Sequence, residues 1–536
     1  MLAVAATLAP LAPGFAGAPP AAATGAADPA GEVIYRRGLL PSGAPLVGRR
    51  EGSSTVEGEA AACIRCHRRS GLGAMEGRAS IPPVGGLYLF APSSRADSSD
   101  IPVVDSMRIH RTPYTEATLA RVIRDGVDPD GRALDYLMPR FDLDSAAMAS
   151  LIRYLKALDP RGTPGVTDTV LHFATVVTPD ADPVKRDAML AVLSQYFDDK
   201  NAAYRNESKP LKSARSVRYR VARRWQLHVW TLSGPADTWE AQLAAHLKAE
   251  PVFAVISGIA GRTWAPVHRF CERAQLPCLL PNVEVPDTSP GDVYTVYFSA
   301  GVLLEAKLIA GRLAEAVAPR RRLVQVFRAG DVGEAGAGAL AKAVAADGIS
   351  VVERRLAKGE GLAESLKDVG SDDALVLWLR PKDLAALAHV PEKAATVYVS
   401  GTMGGLELAP LPESWRTATR MVYLVDLPAA RQVRIDYQIG WFVVRKIKVT
   451  SLEVQSDTLL ACGLLAETLG HMVDTFQRDY LVEQLDDGVE HRILSGYYPR
   501  LTLGIGQRFA SKGGYFVRFS EPSGSAVALD GSWTIP

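Results

Sequence analysis

The sequence predicts a multidomain protein in which a small all-α domain precedes a larger, two-lobed α/β domain. Three observations lead to this fold class. The chain of 536 residues is too long for one ordinary hydrophobic core. Residues 31–160 contain apolar residues at helical spacing. From residue 170 onward, apolar strand-like runs alternate with amphipathic helices.

The composition is that of a globular protein, with 47% hydrophobic and 22% charged residues. The formal net charge of +1 argues against a nucleic-acid-binding protein, which normally has a strong basic excess. After the first 30 residues, no stretch reaches about 18 uninterrupted apolar residues, so no membrane span is predicted.

Residues 1–30 form a leader rich in Ala, Pro and Gly, in which no charged residue precedes Asp28. This composition is typical of the hydrophobic region and the small-residue cleavage zone of a secretory signal. A disordered Ala/Pro tail is the alternative interpretation. The first interpretation predicts export across the inner membrane to the periplasm.

The strongest motif is CxxCH, formed by Cys63, Cys66 and His67. It offers two thiols that can add to haem vinyl groups, followed by an imidazole that can bind the iron. A structural zinc site needs about four ligands, and the other cysteines of the chain are remote from the motif. A thioredoxin-like dithiol needs a preceding strand, and no strand pattern surrounds the motif.

A haem iron held by this motif also needs a sixth ligand, and Met138 is the favoured candidate. Pro139 disfavours helical geometry at Met138, which suits a thioether projecting from a loop. A helix follows, with Asp144 as the expected N-cap. Other possible ligands are Met75, Met107, Met148 and His110, of which His110 is the main alternative.

Residues 50–160 resemble a class I c-type cytochrome in the order of their motifs. CxxCH comes first, "IRDGVDPDGR" follows, and Met-Pro precedes a closing helix that contains "LIRYLKAL". The resemblance implies one haem c, attached through Cys63 and Cys66, with His67 and Met138 as axial ligands. Pro82 and Pro83 resemble the proline segment of that family, whose carbonyl group accepts a hydrogen bond from the ligand histidine.

A linker at residues 161–169 separates this domain, residues 31–160, from the α/β domain at residues 170–536. "VLHFATVVT" is a continuous apolar strand, and the helix after it has Asp182 as its cap and Pro183 at its first position. Continuous apolar strands that alternate with helices indicate parallel sheets. Their number favours two lobes over one sheet.

The α/β domain resembles the type I periplasmic binding proteins of the branched-chain amino acid receptor class. The segments that support this, in order, are "YFDDKNA", "AVISGIAG", "LPCLLPNVEVPDTSP", "VYTVYFSAG" and "AGDVGEAGAGAL". The resemblance covers most of residues 170–510. It implies two Rossmann-like lobes joined by several crossings, with a solute in the cleft between them.

In open α/β sheets, ligands bind at the carboxyl ends of the strands. This rule predicts a group of cleft residues, namely Thr178, Asp180, Ser257, Gly258, Asn282, Val283, Tyr297 and Phe298. Amino acid receptors of the resembled class use Ser/Thr pairs for the ligand carboxylate and an acidic residue for its amine. Ser257 suits the first role, but the sequence shows no acidic partner. Trp264 is either a wall of the cleft or a packing residue at a helix start.

Two further patterns in the α/β domain each have two interpretations. Gly336, Gly338 and Ala341 imitate a dinucleotide-binding fingerprint, but they fall inside a predicted helix, some residues beyond the preceding strand, so NAD binding is not expected. Cys271 and Cys278 are separated by "ERAQLP" and either form a disulfide in an oxidising compartment or remain buried thiols.

Two functional hypotheses follow. The main one is a periplasmic electron carrier that receives electrons from a quinoprotein-type dehydrogenase and passes them to a downstream cytochrome or oxidase, with the α/β domain docking a partner or binding a small solute. The alternative is a solute receptor of an ABC transporter, or a sensor of small organic ligands, with an accessory haem. Neither predicts an enzyme, because a Met/His-ligated haem has no open iron site for a substrate.

Overall fold

The computed structural model describes residues 28–50, 52, 54–76, 79–91, 111–158, 162–207, 223–315, 322–394, 396–472, 475–491 and 496–536. The leader up to residue 27 and two candidate ligands, Met107 and His110, lie outside these residues. The chain divides into two compact units. Unit 1 comprises Met1–Cys63, Gly85–Ala91 and Pro113–Asp159, and unit 2 comprises Ile64–Val84, Pro92–Thr112 and Pro160–Pro536.

The N-terminal part of the chain contributes short elements to both units. In chain order these are α1 (Pro29–Arg37), β1 (Val47–Arg49), β2 (Thr55–Glu57), α2 (Ile64–His67), β3 (Ala74–Glu76), β4 (Ala79–Ile81), α3 (Gly86–Leu89), α4 (Glu116–Asp125), β5 (Arg140–Phe141) and α5 (Ser145–Ala157). Of these, α2, β3 and β4 belong to unit 2.

Unit 1 is built around the packing of α1 on α5. A side chain at Gly31 would lie 2.1 Å from the carbonyl oxygen of Ser150, so the two helices approach as closely as only glycine allows. The ring centroids of Tyr35 and Tyr154 are 5.3 Å apart in the same interface. As predicted, Asp144 caps α5 by accepting a hydrogen bond from the backbone of Ala147.

The prediction that this domain is all-α is wrong in one respect. Strands β2, β1 and β5 form a three-stranded antiparallel sheet within unit 1. The strands are only two or three residues long. Such short segments give no alternation of apolar and polar residues that the sequence could reveal.

The first lobe of unit 2 is built on a parallel sheet with the strand order β10-β9-β8-β6-β7. Its elements are β6 (Val170–Val177), α6 (Pro183–Glu207), β7 (Arg224–Thr231), α7 (Trp239–Ala249), β8 (Ala254–Ile256), α8 (Ala265–Arg273), β9 (Cys278–Leu279) and β10 (Thr295–Val296). The core residues Ala174, Trp230 and Val255 are fully buried or nearly so.

The second lobe of unit 2 is built on a sheet with the order β12-β11-β13-β14-β15-β16-β17, in which β12 to β15 are parallel and the last two strands antiparallel. The remaining elements are α9 (Val302–Ala314), β11 (Leu323–Arg328), α10 (Gly333–Val344), β12 (Val351–Leu356), α11 (Leu362–Leu366), β13 (Ala374–Trp378), α12 (Pro381–Ala385), β14 (Thr396–Ser400), α13 (Gly401–Gly404), α14 (Glu413–Arg416), β15 (Thr419–Tyr423), α15 (Pro428–Val444), α16 (Leu452–Met472), α17 (Arg478–Gly488), β16 (Tyr515–Phe519) and β17 (Val527–Leu529).

The chain passes between the two lobes more than once. The chain leaves the first lobe after β10 and returns to it after β15. The return is shown by α16, which packs on α6 and β8 of the first lobe. The chain then enters the second lobe again at β16. At the last passage, Tyr297 and Phe509 form a parallel bridge. The described residues from 170 onward therefore have a two-lobed α/β fold, as predicted.

Gly336 and Gly338 lie inside α10, so the glycine pattern does not form a dinucleotide-binding turn. A side chain at Gly336 would lie 2.9 Å from the Trp378 ring, whereas one at Gly338 would meet no atom within 4 Å. The first glycine therefore allows α10 to pack on the sheet, and the second lies at an open helix surface.

We predict opposite effects for alanine at these two positions. Gly338→Ala should stabilise the protein by up to about 1 kcal/mol, because alanine is the better helix former. Gly336→Ala gains the same propensity but must displace the Trp378 ring, and overpacking of this kind costs about 1–3 kcal/mol. Denaturant unfolding of both variants measures the difference, and equal free energies of unfolding would contradict the packing role of Gly336.

No helix among the residues that the structure describes is both long enough and apolar enough to span a bilayer.

Candidate functional site: an interlobe cleft and the CxxCH loop

A cavity of about 550 Å³ lies where strands of the two lobes of unit 2 end. The first lobe lines it with the segments that follow β6, β7, β8 and β9, and the second lobe with the segment between β11 and α10. The lining residues are Pro179, Asp180, Gly234, Pro235, Ala236, Trp239, Arg262, Thr263, Val285, Gly330, Asp331, Val332, Glu334 and Ala335.

Asp180 is the predicted residue that lines this cavity directly, and Thr178 supports it. The Thr178 hydroxyl donates a hydrogen bond of 2.6 Å to Asp180 Oδ1. The backbone N–H groups of Gly261 and Arg262 donate to the same carboxylate, at 3.3 and 3.0 Å. Burial alone would raise the pKa of Asp180, but these hydrogen bonds lower it below its usual value.

Ser257, Gly258 and Asn282 also come together, at the ends of β8 and β9. The Asn282 amide donates to Ser257 Oγ at 2.9 Å and to Thr458 Oγ1 at 3.3 Å. Ser257 has a φ of 55°, which is uncommon for a residue with a side chain. Strained backbone of this kind is concentrated at functional sites.

The sequence did not reveal Thr458 and its neighbour Asp457, because both lie in the long apolar helix α16. Asp457 is 7% exposed, and its Oδ2 accepts a hydrogen bond from Tyr498 at 3.1 Å. Its other carboxylate oxygen is buried and lacks a partner among the described residues. Burial therefore raises the pKa of Asp457 well above its usual value.

Three other predicted or candidate residues belong to the protein core and do not line the cavity. The Tyr297 hydroxyl lies 3.0 Å from His268 Nδ1. Phe298 stacks on Tyr498 with ring centroids 5.2 Å apart. Trp264 is 1% exposed and its ring lies against Gly258, so it is the packing residue and not a wall of the cleft.

An ion-pair chain joins the two lobes beside the cavity. Arg380, which follows β13, places its two terminal nitrogens 3.0 and 2.6 Å from the carboxylate oxygens of Glu284 in the first lobe. Arg380 also pairs with Asp331 in its own lobe, and Lys185 on α6 pairs with Glu284. Burial alone would raise the pKa of Glu284, but Arg380 and Lys185 lower it, so this carboxylate is ionised.

The CxxCH loop contains the second group of candidate residues. His67 is 7% exposed, and its Nδ1 lies 2.9 Å from the carbonyl oxygen of Pro82, the contact that the cytochrome resemblance implies. A carbonyl oxygen can only accept, so Nδ1 carries the proton and Nε2 keeps its lone pair. Burial lowers the pKa of His67, which favours the neutral imidazole that binds metals.

The loop after His67 turns tightly to bring this contact about. Gly73 has a φ of 77°, and a side chain there would lie 2.0 Å from the carbonyl oxygen of Ile81. The N–H of Gly73 donates to the carbonyl oxygen of His67 at 3.1 Å. Pro83 follows the proline that accepts from the imidazole.

Cys63 and Cys66 are half-buried. In unit 1, Met138 lies in a non-helical turn before β5, as its Met-Pro context predicts, and it is partly exposed. Met148 is 3% exposed on α5 and belongs to the core.

The three residues directly after His67 each contact an acidic residue of α17, at spacings of one helical turn. Ser70 donates through its N–H and its hydroxyl to the two oxygens of Glu483, at 2.8 and 2.5 Å. Arg69 lies 3.2 Å from Asp479, and Arg68 lies 3.4 Å from Asp487. The CxxCH loop is therefore fastened to α17 of unit 2.

We predict that Glu483→Gln changes how stability depends on pH. Burial raises the pKa of Glu483 to about 8. A carboxyl group whose pKa is higher in the folded state than in the unfolded state, about 4.3, loses stabilising effect as pH rises between those values. The variant should therefore gain stability relative to the wild type from pH 5 to pH 8, by at most about 1.4 kcal/mol per pH unit. Urea unfolding at each pH measures this.

Glu413→Gln, at an exposed position of α14, is the matched control and should follow the wild type at every pH. A Glu483→Gln variant that also follows the wild type would show that Glu483 ionises normally in the folded protein.

Cys271 and Cys278 are joined by a disulfide in the first lobe. Nearby, His268, Glu272 and Asp292 place ligand atoms within 4.8 Å of one another. Each has a structural role. Glu272 accepts hydrogen bonds from three successive backbone N–H groups, of residues 293 to 295, and His268 bonds Asp292 and Tyr297. These contacts fasten the loop before β10 to α8.

Comparison with known protein families found no matching family model, and comparison with curated proteins found no matching sequence.

Solved structures with a similar fold do exist. A branched-chain amino acid ABC transporter protein from Thermus thermophilus with bound valine is 10% identical, with a TM-score of 0.49 over 69% of this chain and 97% of that one. A fatty acid ABC transporter substrate-binding protein from Thermomonospora curvata is 12% identical, with a TM-score of 0.46 over 70% of this chain and 94% of that one. A possible leucine/isoleucine/valine-binding protein from Rhodopirellula baltica SH 1 is 13% identical, with a TM-score of 0.48 over 68% and 97%.

The main functional hypothesis is wrong. These similar structures are transporter substrate-binding proteins, and most of the present chain is a two-lobed α/β unit with a cleft. The electron carrier between a dehydrogenase and a downstream oxidase is therefore given up as the main function of this chain.

Proposed function

We propose that this protein is a periplasmic receptor for a small organic solute and that it carries one accessory haem c. The observation that supports the receptor function is the cavity of about 550 Å³ between the two lobes, lined by segments that follow the carboxyl ends of parallel strands. Ligand sites of α/β proteins occur at this position. The partner that we propose is the permease of an ABC transporter, which would accept the solute.

Residues of both lobes contribute to the proposed binding site, so its affinity depends on how the lobes are held. Val285 belongs to the first lobe, and Val332 and Ala335 belong to the second. The pair between Glu284 and Arg380 stabilises the arrangement in which these walls face each other. A solute that contacts both walls would favour the same arrangement.

The residues of the CxxCH loop fit covalent haem attachment. Cys63 and Cys66 would hold the haem by thioether bonds, and His67 would bind the iron through Nε2, since Nδ1 is engaged with Pro82. Met138 remains the sixth ligand that the sequence predicts. When bound, the haem supplies a one-electron redox centre. The chain orients the imidazole through the Pro82 carbonyl and the turn at Gly73.

We predict a covalent haem in protein produced in a host that attaches haem c. The denatured protein should show the added mass of one haem, and the reduced-minus-oxidised spectrum should show a c-type α band. Cys66→Ala should greatly reduce the covalent mass, whereas Cys462→Ala, at a buried cysteine of α16, should keep it. Wild-type protein with neither the mass nor the band would end the haem proposal and leave the receptor proposal unaffected.

We also predict stabilisation by the cognate solute. Screening a library of small organic solutes by thermal unfolding should identify compounds that raise Tm in a concentration-dependent way. A solute at 100 times its Kd adds about 2.7 kcal/mol to the free energy of unfolding. A broad library without any such compound would contradict the receptor function.

A further inference from the structure

The charged residues that line the cavity are already paired within the protein. Asp180 accepts from two backbone N–H groups and from Thr178, and its Oδ2 lies 3.4 Å from Arg262 Nε. Asp331 is paired with Arg380 at 2.9 Å. Both carboxylates therefore have a positively charged partner supplied by the chain itself.

The third carboxylate of the lining follows the same pattern. Glu334 lies 2.9 Å from Arg355 and accepts a hydrogen bond of 3.0 Å from the N–H of Gly330. The cationic member of the lining, Arg262, has a side chain that is 68% exposed and that faces a carboxylate. Each of the three carboxylates in the lining thus lies beside an arginine, although only Arg262 belongs to the lining itself.

The rest of the lining is mainly apolar. It consists of prolines, glycines, alanines, valines and one tryptophan, with Thr263 as the uncharged polar residue. The indole N–H of Trp239 is also engaged, since it donates to the carbonyl oxygen of Gly234 at 3.2 Å. The ring therefore offers the cavity an apolar surface.

We infer that the solute of this cavity is an uncharged, predominantly apolar organic molecule, and not a zwitterionic amino acid. This inference rests on the proposed receptor function. A charged solute would lose its hydration on entering and would find every opposite charge already paired, so it would bind only by breaking an existing ion pair. An uncharged apolar solute loses little hydration and covers the apolar wall.

A size-matched series tests the inference. Benzyl alcohol, benzylamine, benzoate and phenylglycine share one ring and differ in charge. Titration calorimetry on the full chain should give benzyl alcohol an affinity at least about tenfold above each charged analogue.

Ala335→Phe, which fills the cavity from α10, should weaken the binding of benzyl alcohol by about tenfold or more. Ala343→Phe, at an exposed position of the same helix, is the matched control and should leave it unchanged.

A second variant tests whether the ion pair between Glu334 and Arg355 excludes charged solutes. Arg355→Gln leaves Glu334 without its cation, so it should raise the affinity for benzylamine several-fold and leave that for benzyl alcohol unchanged. A charged analogue could instead bind the wild type more tightly than benzyl alcohol does and bind the Ala335→Phe variant more weakly than the wild type. That result would overturn the inference while supporting the receptor function. A series in which no compound binds at millimolar concentration would also overturn it. If the library screen finds no ligand either, the receptor function fails as well.

Discussion

The pair between Glu284 and Arg380 is the interaction on which the cleft depends, because it joins the two lobes at the edge where their strands end. Its two hydrogen bonds are parallel and charge-assisted, the geometry in which arginine and a carboxylate interact most strongly. Lys185 and Asp331 extend the pair into each lobe. Removal of either central partner would leave the other with the opposite charge in its own lobe, Lys185 for Glu284 or Asp331 for Arg380, and would remove the ion pair that joins the lobes.

The CxxCH loop depends on unit 2 in a comparable way. Its histidine is oriented by Pro82, and the next three residues are held by acidic side chains at successive turns of α17. Arg69 also lies against Tyr294, directly before β10, and Tyr294 donates to Asp479 at 2.6 Å. The proposed haem ligand is thus connected through named contacts to the sheet that forms one wall of the cleft.

Part of the candidate site could be predicted from the sequence, since strand ends are visible as places where apolar runs stop. This rule predicted Asp180, Ser257 and Asn282; Asp180 lines the cavity, and Ser257 and Asn282 lie together at the ends of β8 and β9. Thr458 could not be found, because it lies within the apolar pattern of α16 and meets Ser257 only through the return of the chain to the first lobe. The arginine partners of the lining carboxylates were also missed, since each is distant in sequence from the residue that it neutralises.

The sequence by itself determined the two-lobed α/β architecture, the CxxCH motif and the helix ends at Asp144 and Pro183, because periodicity and capping are local properties. It did not determine the short strands of unit 1 or the fastening of residues 68–70 to α17. Those were decided by tertiary structure. Pairing of charges and burial of side chains depend on which distant segments meet, and that is fixed only when the whole chain is folded.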